Sequence, residues 1–122
     1  MKKMLFLIYA ILFTNSLVLA YQEIHLNGFQ YIIIDNGSVA VWNCYNNQDT
    51  VIIPNVVTFN NVKYTVVAID GGAFMWKDDI ISVIIPNTVT SIGQSAFREC
   101  ENLSSVVMPN SITNIGNAAF WG

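Results

Sequence analysis

Hydrophobic and polar positions alternate with period two over short stretches, the pattern of strands with one face inward. YIII and VAVW flank Asp35-Asn36-Gly37-Ser38, which predicts a β-hairpin from Phe29 to Cys44, since Asn-Gly is a strong two-residue turn signal. A second hairpin is predicted in TFNNVKYTVVA, where Asn60-Asn61 stands between Thr58-Phe59 and Lys63-Tyr64-Thr65-Val66. Asn is the non-Gly residue that best tolerates positive φ at such a turn. Further on come SVIIPNTV and SVVMPNSI, each a short strand stopped by a Pro that has no N–H for a ladder. In them Val83/Val106 and Ile85/Met108 point one way, and the residues between them point the other.

The two segments belong to a longer repetition. Placing Ile92-Gly93 on Ile115-Gly116 gives a shift of 23 residues. That shift also carries Pro86-Asn87 onto Pro109-Asn110, Ala96-Phe97 onto Ala119-Phe120 and Val89 onto Ile112. Applied backwards, it finds Ile80 from Leu103, and Ile69, Ala73 and Phe74. VIIPNVV, Val51 to Val57, is a third copy, interrupted by the predicted Asn60-Asn61 hairpin before Ile69. A unit this short cannot close a core alone, so copies must stack with like residues above like. The expectation is a mostly β solenoid of about three coils. Its structural ladder is Ile69, Phe74, Ile92, Gly93, Phe97, Cys100, Ile115, Gly116 and Phe120, with the Gly residues forming sharp corners. The hairpin at residues 21–48 would cap the N-terminal end of the stack, and residues 49–122 would form the coils. The last coil stops at Trp121-Gly122, so Phe120 and Trp121 are expected on an open edge suited to self-association.

The repeat I-x-x-V-x-I-P-N-x-V-x-x-I-G-x-x-A-F-x-x-C-x-x-L, read from Ile80 to Leu103 and again from Leu103 to Phe120, resembles the BspA-like leucine-rich repeat. The resemblance spans almost everything after the leader. It departs at Asn61, where Gly is usual, and at Asp70, which replaces the Gly after Ile69. It implies a leucine-rich-repeat solenoid, and surface proteins of host-associated bacteria and some protozoa that attach to host matrix proteins. It also places Cys100 at a position that buries a small side chain, where the preceding copy has Lys77.

The first residues, MKKMLFLIYAILFTNSLVLA, read as a secretory signal peptide: basic Lys2-Lys3, an apolar run from Met4 to Phe13, a polar break, and cleavage after Ala20. The run is shorter than the roughly 20 apolar residues of a stable membrane span. A secreted or cell-surface location follows, with no stable span after cleavage. Removing Lys2 and Lys3 deepens a formal net charge of −3, which makes nucleic acid a poor partner. Only 11% of residues are charged, so Asn, Ser and Thr carry the polarity, as in a turn-rich β protein.

Candidate chemistry is sparse. His25 is the one His, with neither further metal ligands at short spacing nor a nucleophile–base arrangement around it. Gly71-Gly72 lacks the Lys of a phosphate loop. The chain is read as non-catalytic, without cofactor or metal. Cys100 is preferred as a buried free thiol, with a bond to Cys44 or a reactive thiol as the alternatives. The repeated Asn55, Asn87 and Asn110 are expected to satisfy backbone groups at the corners after the strands. Asn36-Gly37-Ser38 and Asn102-Leu103-Ser104 are sequons that count only in a glycosylating host. The outward strand positions carry the functional expectation: Thr50/Ser82/Ser105 form one row and Ile52/Ile84/Val107 an apolar one. The favoured function is a protein-binding or adhesion module that uses this face. The alternative is a structural or self-assembling segment.

Overall fold

The computed structural model describes the backbone of residues 5–13 and 16–122, and side chains from Gln22 onward. The Lys2-Lys3 and Thr14-Asn15 features of the predicted leader lie outside the described residues. All regular elements among the described residues are strands: β1 (Leu5–Phe13), β2 (Ser16–Leu26), β3 (Phe29–Asp35), β4 (Ser38–Cys44), β5 (Thr50–Ile52), β6 (Val56–Phe59), β7 (Val62–Ile69), β8 (Ser82–Ile84), β9 (Ser91–Ile92), β10 (Ser105–Val107) and β11 (Asn114–Ile115).

These strands wind as a β-solenoid of about three coils. One parallel sheet runs β10-β8-β5, and its register places Val51 beside Val83 and Val83 beside Val106, the spacing that the repeat predicts. A second parallel ladder joins β7, β9 and β11 through Ile69, Ile92 and Ile115. The inserted hairpin β6–β7 is present, and its Asn60 and Asn61 sit at φ 50° and 62°. Between the two sheets lie Val51, Val83, Ile69, Phe74, Ile80, Ile92 and Phe97, all at most 2% exposed. Each such side chain contributes about 1.5–3 kcal/mol relative to exposure.

The hairpin β3–β4 does more than lie across the end of the stack. Strand β4 pairs in parallel with β7, so the second sheet continues without a break as β1-β2-β3-β4-β7-β9-β11. Its two-residue turn is Asn36-Gly37, as the sequence predicts, and the Gly37 N–H donates to Asp35 Oδ1 at 2.9 Å. A second Asn-Gly turn, left-handed at Asn27 (φ 53°) and Gly28 (φ 83°), folds β2 back onto β3. His25 is therefore in a paired strand, opposite Gln30.

The third side of each coil is a run of tight turns. Phe74, Phe97 and Phe120 stack there, with centroids 4.8 and 5.1 Å apart and planes 12° and 3° from parallel. Here too the backbone bonds from coil to coil. Gly72, Phe74 and Trp76 N–H donate to the carbonyls of Gln94, Ala96 and Arg98, and Ser95, Phe97 and Glu99 N–H to those of Asn117, Ala119 and Trp121. Left-handed residues turn these donors out of the coil, in the columns Gly72/Ser95/Ala118 (φ 68°, 57°, 55°) and Trp76/Glu99/Gly122.

The ladder glycines Gly93 and Gly116 are not in those columns, which corrects the reading of them as sharp corners. A Cβ on Gly93 would meet the Gly71 nitrogen and the Asp70 carbonyl carbon, the latter at 2.7 Å; one on Gly116 would meet Gln94 and Gly93 in the same way. They are glycine because the backbones of successive coils touch there. In the first coil the equivalent position is Asp70, whose own Oδ1 accepts the Gly71 N–H at 2.8 Å.

A stability prediction follows from the left-handed column. An L-residue there costs about 1–2 kcal/mol, partly offset by the lower unfolded-state entropy of Ala relative to Gly. Ala118→Gly should therefore raise stability by about 0.5 kcal/mol and Gly72→Ala lower it by a similar amount, measured by urea denaturation of the two single variants.

Candidate protein-binding face

The sheet β5-β8-β10 offers one face to the core and one to solvent. Parity fixes which residues face out, because Val51 and Val83 are fully buried and side chains alternate along a strand. The register brings Ile52, Ile84 and Val107 side by side, and Thr50, Ser82 and Ser105 into the next row. Ile52 is 64% exposed and Val107 52%; Ile84, flanked by both, is half-buried. Thr50 and Ser105 are exposed and Ser82 half-buried. A row of hydroxyls thus runs beside a row of branched apolar side chains, and neither row holds a charge.

At the ends of these strands Asn55, Asn87 and Asn110 are exposed. Among the described residues their side chains make no hydrogen bonds, contrary to the expected corner role, and the three amides extend the polar margin of the face. Other side chains bond from coil to coil: Thr90 Oγ1 donates to the Val67 carbonyl, Thr113 Oγ1 to that of Thr90, Ser111 Oγ to that of Val89 at 2.6 Å, and the Asn102 amide to that of Asp78 at 2.8 Å.

The other singled-out residues are structural. Cys44 and Cys100 are free and buried. The Cys100 thiol donates to the Phe74 carbonyl at 2.9 Å, which ties the second coil to the first. Ladder residues Ile69, Phe74, Ile92 and Phe97 are in the core, while Ile115 and Phe120, on the last coil, are 51% and 41% exposed. His25 is held at the surface between Glu23 Oε2, 3.3 Å from its Nε2, and the Tyr45 hydroxyl. The buried Glu23 carboxylate also accepts from Gln30 Nε2 at 2.6 Å. Among the described residues no group of three His, Cys, Asp or Glu side chains could hold a metal ion.

Burial pushes the Cys44 and Cys100 thiols above their ordinary value of 9.0 and the Tyr31 phenol far above its ordinary 10.0. For all three the folded chain holds its proton more tightly than the unfolded chain does. Their contribution to stability is therefore complete below the unfolded values and is lost as pH rises toward the folded ones. The urea midpoint should begin to fall near pH 9, and the double variant Cys44→Ala/Cys100→Ala should delay that fall to the tyrosine range.

Comparison with known proteins agrees with this geometry. Residues 67–122 match the family model described as BspA type leucine rich repeat region (6 copies). No curated protein sequence matches the chain. Among solved structures, a leucine-rich repeat protein from Bacteroides capillosus ATCC 29799 aligns with a TM-score of 0.73 at 26% identity, covering 78% of this chain and 71% of that one. One from Bacteroides ovatus ATCC 8483 gives 0.74 at 33% identity, over 79% of this chain and 26% of the other. A leucine rich cell surface protein from Faecalibacterium prausnitzii A2-165 gives 0.74 at 30%, over 80% and 27%. The chain thus spans most of the first protein and about a quarter of the length of the other two. By its coil length, its register and this match, the repeat region at residues 67–122 belongs to the BspA-type leucine-rich repeat family.

Proposed function

We propose that the chain is a secreted or cell-surface, non-catalytic module that binds a protein ligand, such as a host matrix protein, through the outward face of β5, β8 and β10. The observation that carries this reading is the uncharged strip Ile52–Ile84–Val107 beside Thr50–Ser82–Ser105, held in register by parallel pairing. Exposed apolar side chains in a contiguous row mark contact surfaces more often than scattered ones do. The cell-surface protein of F. prausnitzii, similar over 80% of this chain, supports the location.

Residues 1–20 act in this reading as a leader that is removed. Strand β1 joins the sheet at its end and, among the described residues, pairs with β2 alone, so its loss leaves β2–β3 and β3–β4 pairing in place. Intact mass of the exported protein should show a chain that begins at Tyr21; retention of Met1 would count against export by cleavage.

The face is tested by Ile52→Lys/Val107→Lys. Both side chains already stand in solvent, so the thermal midpoint should move by no more than the equivalent of about 0.5 kcal/mol. Binding to coated extracellular-matrix proteins should fall at least tenfold, since charge at the centre of an apolar contact disfavours it. Unchanged binding by a folded double variant would remove this face from the proposal.

A further inference from the structure

The outward face is bounded on one side by the edge of β5, beyond which no strand lies among the described residues. In the sheet order β10-β8-β5 its one neighbour is β8. The Asp49 carbonyl accepts from Ile81 and Ser82, and the Ile53 N–H donates to the Ile84 carbonyl. Groups of successive residues alternate sides along a strand. The N–H and C=O of Thr50 and Ile52 therefore point away from β8. Among the described residues, none of these four groups has a hydrogen-bond partner.

They open instead into a groove of about 510 Å³. Its floor is apolar and buried: Phe29, Tyr31 and Val57. Its polar wall is Asn27 with Asn46 and Gln48, the latter two on the segment that leads into β5. That wall is tied together, because the Tyr45 N–H donates to the Gly28 carbonyl at 2.9 Å and its hydroxyl to the Phe29 carbonyl at 3.0 Å. No charged side chain lines the groove.

We propose that this edge and groove take an extended, uncharged segment of another polypeptide as an added fourth strand of the sheet. Two N–H and two C=O groups at strand spacing are complementary to a peptide main chain, and strand addition of this kind derives its affinity from those bonds and its selectivity from alternate side chains. The floor takes apolar side chains of that segment, while Asn27, Asn46 and Gln48 offer amides to its polar ones. A charged segment would lose hydration with no counter-charge in return. Pro54 ends the run of donors, so the paired length is about 10 Å for three residues. The site uses the main chain of Thr50 and Ile52, not their side chains, and stands whether or not the outward face binds protein.

The test is residue-resolved amide exchange on the full chain, alone and with the capped peptide acetyl-Ser-Val-Thr-Ala-Thr-Val-amide at millimolar concentration. In the free protein the Thr50 and Ile52 amides should exchange as unprotected groups, and the peptide should slow both about tenfold. Its counterpart N-methylated at every nitrogen should have no effect. Ile52→Pro removes one edge donor but leaves the β8 side intact, and should abolish protection of Thr50 in a folded chain. Should that variant fail to fold, the N-methyl comparison on the unaltered chain decides. The proposal is overturned if the N-methylated peptide protects equally, or if neither peptide protects the two amides. It is also overturned if both amides are already slow without peptide, more so at higher protein concentration, since a second copy then holds the edge.

Discussion

Gly93→Ala should cost about 4 kcal/mol, the largest loss expected from a single added methyl in this chain. The added methyl would lie 2.7 Å from the Asp70 carbonyl carbon and 2.9 Å from the Gly71 Cα, closer than real contacts allow. All of the atoms that it meets are backbone, so no rotamer change relieves the clash. The coils must separate, and separation lengthens the bonds that cross this point: Gly93 N–H to the Ile69 carbonyl at 2.8 Å and Gly72 N–H to the Gln94 carbonyl at 3.0 Å. Overpacking a well-filled site costs about 1–3 kcal/mol, and backbone that cannot move raises the figure to about 4. Small domains hold about 5–15 kcal/mol in all. Gly37→Ala is the control. Nothing lies within 4 Å of its added methyl, and its φ is not positive, so its stability should stay within about 0.5 kcal/mol of the parent. Urea denaturation followed by circular dichroism separates the two. Equal stability of Gly93→Ala and Gly37→Ala would mean that the coils can part at this crossing without cost.

That pair also shows where sequence reading stops. A glycine column is visible at once under the repeat shift, but Gly is selected both by left-handed backbone and by close approach. Letters alone cannot separate the two causes. In this chain the left-handed positions are filled largely by Ser95, Ala118, Trp76 and Glu99, which give no sign of it. Strands β9 and β11 hold two residues each, too few for a period-two pattern, so the second ladder was legible only as a column of Ile. The Asn60-Asn61 turn could be foreseen because its strands alternate clearly. The Asn27-Gly28 turn carries the same kind of signal in HLNGF, but the strand before it runs on from the leader and shows no turn at its start.

The candidate face divides in the same way. Which side chains look outward was legible, since the buried Val51 and Val83 set the parity of their neighbours. The idle Asn55, Asn87 and Asn110 amides were not, because corner geometry decides whether a backbone group lies within reach. Nor was the open edge of β5. Pairing is a property of the sheet order, and it depends on where the β2–β3 turn and the linker at residues 46–48 come to rest.

The second large effect concerns the aromatic column. Phe97→Ala should cost about 3–5 kcal/mol, because Phe97 is 2% exposed and is stacked on both sides. Phe120→Ala should cost about half as much, since Phe120 is 41% exposed and stacks on Phe97 alone among the described residues. Phe97→Leu should fall between them, as it keeps most of the volume while losing both ring contacts. A solenoid in which each coil touches only its neighbours predicts more than these sizes. A double-mutant cycle between Phe74 and Phe97, with Leu at each, should show a coupling of about 0.5–1.5 kcal/mol. The same cycle between Phe74 and Phe120 should show coupling near zero, because Phe97 lies between them. Comparable coupling across both pairs would mean that the column responds as one rigid unit. Stability would then not divide coil by coil, and the loss in Phe120→Ala would approach that in Phe97→Ala.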